Sequence, residues 1–102
     1  MPDDVMNWVL DEILAAVKEI EEQSGRQPPP QLDGAVVPLA MCGFDSLTCV
    51  ETVVLLSERL GVTVEHRIFA TSCGVPASCA DMARSIVAEH GSALKPPTGA
   101  TG

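Results

Sequence analysis

The residues best placed to do chemistry stand together at Gly43-Phe44-Asp45-Ser46-Leu47. A serine lies between an acid and a leucine, and a long apolar run, Thr48 to Leu60, follows it. That pattern predicts a helix start with Asp45 or Ser46 as the cap. A hydroxyl there is exposed, because the first turn of a helix has no preceding turn to cover it. An alcohol is a poor nucleophile at neutral pH and needs a base, and no histidine lies near Ser46 in sequence. A pair of Ser46 with His66 would also need an oxyanion site and a third group, and the Gly-x-Ser-x-Gly elbow of many hydrolases is missing. From residue types alone, a plain helix cap is the commoner role for a serine after an aspartate.

The other reactive side chains point nowhere in common. Cys42, Cys49, Cys73 and Cys79 make no Cys-x-x-Cys pair and no zinc spacing, so no metal site is expected. Cys49 and Cys79 fall on apolar stripes and read as small core residues; Cys42 and Cys73 fall in loops. His66 and His90 read as surface residues.

The elements that must position Ser46 follow from periodicity. Residues 3–23 predict a first helix, opened by Asp3 and Asp4 at the positive end of its dipole. Val9, Ile13, Ala16, Val17 and Ile20 form its buried stripe, widened by Leu10 and Leu14 and edged by Trp8, while Glu12, Glu19, Glu21 and Glu22 populate the other side. Ser24 and Gly25 end it. Residues 25–44 predict a long connection in which Pro28, Pro29 and Pro30 forbid helix, and Leu32, Val36, Val37 and Leu39 tack the chain onto the helices. So long a loop is uncommon in a compact domain, and delivery of residues 43–46 to one end of the molecule would explain it.

Residues 46–60 predict a second helix with two stripes, Cys49, Val53, Leu56 and Leu60 on one side and Leu47, Val50 and Val54 on another. Such a helix is either central and buried or keeps one stripe as a contact surface. Gly61 ends it. Residues 62–75 are irregular, with a short helical turn between Glu65 and Ala70. Residues 77–90 predict the last helix, with Ser78 and Asp81 as a capping box and Cys79, Met82, Ala83, Ile86 and Val87 as its stripe. No strand pattern of useful length occurs. The expected organisation is one all-α domain over residues 1–90, with three main helices and one short helix, and a disordered tail over residues 91–102 that carries Pro96 and Pro97.

Composition narrows the partners. The chain has 102 residues, enough for one domain. Hydrophobic residues make up 46% and aromatics only 3%, which suits an aliphatic helical core. A formal net charge of −8 disfavours nucleic acid and anionic membrane surfaces, and so few rings disfavour base stacking. An acidic domain is better matched to basic protein surfaces. No stretch is long enough to span a bilayer and no secretory pattern follows Met1, so the cytoplasm and a monomeric state are expected.

With that organisation in place, the residues resemble the acyl carrier protein family. Those domains are small acidic four-helix bundles with a long first loop, and their motif Gly-x-Asp-Ser-Leu opens the second helix. It stands here as Gly43-Phe44-Asp45-Ser46-Leu47, continued by Val50 and Glu51. The run Gly-Phe-Asp-Ser-Leu-Thr-x-Val-Glu, residues 43–51, is especially similar to carrier domains of modular polyketide synthases. Ile68-Phe69 and then Pro76-Ala77 are similar to their third-helix region. The resemblance spans residues 3–90 and is specific over 39–60.

The resemblance implies a carrier and not an enzyme. Ser46 would receive 4′-phosphopantetheine from coenzyme A through a separate Mg²⁺-dependent phosphopantetheinyl transferase. The thiol of that arm would hold acyl or polyketide intermediates as thioesters for acyl-loading and condensing enzymes. Leu47, Val50 and Val54 would form the apolar contact beside the arm, and Asp45, Glu51 and Glu58 would supply charge to basic partners. The apolar part of the second helix is further expected to open for a short acyl chain. A disulfide between Cys42 and the arm's thiol is disfavoured in a reducing cytosol. Departures from the fatty-acid pattern at Thr48, Ser57, Arg59, His66-Arg67 and Thr71–Val75 point to a specialised lipid or polyketide pathway. Two alternatives stand beside this one: an aminoacyl or peptidyl carrier of nonribosomal peptide synthesis, and a helical interaction module with a fortuitous motif.

Overall fold

The computed structural model describes residues 2–25, 32–41, 43–71 and 73–94. Three α-helices carry the fold: α1 (Pro2–Gln23), α2 (Ser46–Leu60) and α3 (Cys79–His90). Among the described residues, 3-10 turns at Pro38–Ala40 and His66–Phe69 lie between them, and one at Gly91–Ala93 follows α3. Among the described residues there is no strand, only an isolated antiparallel bridge between Ala70 and Pro76. The class is therefore all-α, as its periodicity predicts.

α1 packs against both other helices. Its stripe of Val9, Ile13, Ala16, Val17 and Ile20 is buried, as are Cys49, Leu56 and Leu60 of α2 and Cys79, Met82, Ala83 and Ile86 of α3. Val64, Ile68, Phe69 and Ala77 close the core between α2 and α3. The short turn expected between Glu65 and Ala70 is the 3-10 turn at His66–Phe69, which buries two consecutive apolar side chains in one turn. α1 ends where Gly25 adopts φ +79°, a conformation that a Cβ would strain.

The first connection does more than reach Ser46. The N–H groups of Cys79 and Ala80 donate to the carbonyls of Val36 (2.7 Å) and Gly34 (3.0 Å). A helix leaves its first N–H groups without partners inside the helix, so this loop caps α3 from outside. A Cβ on Gly34 would lie 3.4 Å from Ala80 Cβ and 3.5 Å from Leu10 Cδ2, so the chain passes tightly between α3 and α1. Ser78 completes the start of α3. Its Oγ accepts from the Asp81 amide (3.2 Å), and its own amide donates to Asp81 Oδ2 (3.2 Å), the reciprocal box that the sequence predicts.

Several side chains depart from the expected pattern. Leu39 is exposed and does not tack the loop down; buried Pro38 does so beside it. Glu21, assigned to the solvent side of α1, is only 2% exposed. The expected tail begins too early: Gly91–Ala93 makes a 3-10 turn, and Leu94 is buried in the core with its amide bonded to His90 O (3.1 Å). An apolar side chain directly after the last turn of a helix can fold back onto that helix's own stripe, and helical periodicity does not register it. The expectations for the side chain of Asp3, for Pro28 to Pro30, for Cys42 and for residues 95–102 lie outside the described residues.

Candidate functional site

The turn into α2 is built from four residues. Gly43 adopts φ +81°, which glycine takes without steric cost. Phe44 turns inward, 6% exposed, and its ring meets Phe69 at 5.9 Å between centroids, within the range of a favourable tilted pair. Asp45 is extended (φ −97°, ψ −171°) and caps the helix. Its Oδ1 accepts from the Thr48 amide (3.0 Å) and from Thr48 Oγ1 (3.0 Å).

Ser46 is thereby the first residue of α2 and is exposed. Cap duty falls to Asp45, so the Ser46 hydroxyl is not consumed by the helix and has no hydrogen-bond partner among the described residues. His66 stands over Phe69 at 5.8 Å between ring centroids, and no hydrogen bond joins it to Ser46. This arrangement presents a hydroxyl, and among the described residues none is hydrogen-bonded to it as a base.

The second stripe of α2 is open. Leu47, Val50 and Val54 are 66%, 50% and 52% exposed, while the other stripe is in the core. Glu51 and Glu58 flank it, both exposed. Beside the stripe, an open groove of ≈ 330 Å³ runs between α1 and α2, with Glu19, Ile20 and Gln23 on one wall and Val50, Glu51, Val54, Leu55 and Glu58 on the other. Arg59 bridges α2 to α1 nearby, donating to Glu12 (3.0 Å) and Glu19 (3.2 Å). The site residues named from sequence thus fall on one continuous surface from the turn along α2. The α1 wall was not foreseen: Glu19 lies on the side assigned to solvent and Ile20 on the buried stripe, and only packing against α2 makes them part of a groove.

Two further residues were undervalued. Thr48 is 6% exposed and Thr52 is fully buried. Thr52 Oγ1 donates to Thr48 O (2.8 Å), so each hydroxyl is satisfied inside an otherwise apolar face. Ser57 has a similar role: its Oγ donates to Val53 O (2.9 Å) and accepts from the Val64 amide (2.9 Å), pinning the chain after α2. A serine or threonine that bonds backward along its helix leaves no periodic signature.

The three described cysteines divide as expected. Burial, with a smaller contribution from the Asp45 charge, pushes the Cys49 thiol up. Burial, with Asp33 adding to it, pushes Cys79 up to about 12. Both are buried core thiols, and Cys73 is exposed. No group of His, Cys, Asp or Glu among the described residues is arranged to hold a metal. No helix among the described residues is long and apolar enough to cross a membrane. Comparison of the chain with protein-family models, with curated proteins and with solved structures finds no match.

Proposed function

We propose that this protein is an acyl carrier, with Ser46 as the attachment point of 4′-phosphopantetheine, organised as an acyl-carrier-like bundle of three main helices and a short one. The observation that carries the reading is the division of labour at the turn. Asp45 caps α2 and leaves Ser46 exposed, with a hydroxyl that bonds to nothing described. A catalytic serine needs a base within hydrogen-bond reach, whereas an acceptor of a modification needs an open approach. The motif at residues 43–47 and its resemblance to polyketide-type carriers point the same way.

The residues present fit the group. Ser46 Oγ would attack the phosphorus of coenzyme A that bears the pantetheine. A new O–P bond forms, the pyrophosphate bond breaks, adenosine 3′,5′-bisphosphate leaves, and the serine proton passes to a base on the transferase. The arm, once in place, supplies a thiol that holds acyl groups as thioesters. This chain's own contribution is then presentation. Leu47, Val50 and Val54 give an apolar contact beside the attachment point, and Asp45, Glu51 and Glu58 give charge that steers basic partner enzymes. Exposed pairs of this kind add little affinity each and act mainly on encounter and register. The cargo class proposed is acyl or polyketide, in a specialised pathway.

Incubation of the apo protein with coenzyme A, Mg²⁺ and a broad-specificity transferase tests this. Intact mass should rise by one phosphopantetheine, and Ser46→Ala should abolish the gain. No gain under conditions that load a control carrier would remove the proposal and leave an interaction module. Loading with acyl against aminoacyl donors then separates the two kinds of carrier.

A further inference from the structure

Thr48 stands where the fatty-acid pattern is often acidic, and it does something an acid could not do in the same way. Its amide and its Oγ1 both reach Asp45 Oδ1 at 3.0 Å, and the same hydroxyl lies 3.4 Å from the Gly43 carbonyl oxygen. The hydroxyl has one proton, so its bond goes to Asp45 Oδ1, and the Gly43 carbonyl is a longer, competing acceptor on the other side of the turn. Thr48 makes this bond from a site only 6% exposed, with Thr52 bonded to its carbonyl one turn on. The amide bond alone is an ordinary N-cap. The hydroxyl bond is additional, and it fixes the carboxylate's rotamer as well as its position. Asp45, extended at φ −97° and ψ −171°, is the residue directly before Ser46, so what holds Asp45 bears on where the Ser46 backbone enters α2.

We infer that Thr48 is a positioning residue for transfer onto Ser46: its hydroxyl latches the Asp45 carboxylate, so that the turn before Ser46 is held with the acceptor oxygen facing outward before the transferase arrives. This rests on the carrier reading. The latch acts on orientation of the acceptor and not on partner affinity, because Thr48 is buried and offers no surface to a partner. Loss of the hydroxyl should lower the single-turnover rate and leave the KM for the carrier where it is. A change at exposed Glu51 should do the reverse.

The experiment compares wild type, Thr48→Val and Thr48→Ser with one transferase and coenzyme A, at a temperature where circular dichroism shows all three folded. Valine keeps the volume and removes the hydroxyl; serine keeps the hydroxyl. Thr48→Val should slow transfer by about two- to tenfold, the range that the net worth of one hydrogen bond converts to, with unchanged KM, and Thr48→Ser should restore most of the rate. On the apo proteins, hydrogen exchange at the Thr48 amide should quicken in the valine variant and recover in the serine variant. Equal single-turnover rates for valine and wild type, or a serine variant as slow as the valine one, would overturn the positioning role while leaving Ser46 as the acceptor. A wild-type protein that takes no phosphopantetheine would remove the carrier reading itself, and this inference with it.

Discussion

A single side chain decides what Ser46 is free to do. With Asp45 as the cap, the serine beside it is released from structural duty; had the helix begun one residue later, Ser46 would itself be the cap. Sequence left these two options open, because aspartate and serine are near-equal N-caps. In the structure Asp45 is the cap, accepting from the Thr48 amide, and the Thr48 hydroxyl adds a further bond that no periodicity reports. A second capping carboxylate offers a test by pH. Asp81 is held below its ordinary 3.8 by the backbone N–H of Ser78 first, opposed by slight desolvation, and then by the Ser78 hydroxyl and Arg84. The unfolded chain takes up this proton more readily than the folded one. The stabilisation is therefore present above 3.8 and is lost as the pH falls through the lowered folded value. Urea midpoints should consequently fall further between pH 7 and pH 3 for wild type than for Asp81→Asn. Parallel falls would show that Asp81 does not carry the dependence. Ser78→Ala, measured at pH 7, should cost about 1 kcal/mol.

At the scale of elements, α2 carries two jobs on two faces. Both stripes were legible in its sequence, but their assignment to core or surface was not, since two apolar faces look alike without a neighbour. Packing settles it: Leu56 is fully buried in the core, whereas Val54 keeps half of its surface exposed at the edge of the groove with α1. Leu56→Ala should destabilise by about 2–5 kcal/mol. Val54→Ala should stay within about 0.5 kcal/mol of wild type and should weaken docking to a partner enzyme. Glu51→Lys should raise the KM of a partner reaction without loss of helical signal. Equal kinetics for wild type, Val54→Ala and Glu51→Lys would remove this face from the mechanism. The long first loop is the element whose purpose the sequence disclosed least. It delivers the turn to α2, as expected, and it also caps α3 through Gly34 and Val36 carbonyls, a backbone role that side-chain types cannot announce.

The whole molecule is an aliphatic core clasped by charge. Arg59 ties α2 to α1, and Arg67 reaches Glu65 and Glu89 across the other side. These exposed pairs are worth at most about 1 kcal/mol each, so the core and not the ion pairs sets the stability. Thiol reactivity reads that core directly. In the native protein at pH 8, iodoacetamide should modify Cys73 while Cys49 and Cys79 stay protected; all three should react in denaturant. Rapid native labelling of Cys79, whose thiol is pushed up to about 12, would contradict the buried arrangement.

The central claim is that Ser46 carries the arm, and the protein isolated from its own source tests it most directly. Peptide mass spectrometry should place one phosphopantetheine on Ser46, bare or bearing an acyl group. A source protein with Ser46 unmodified, or with the group on another residue, would contradict the account.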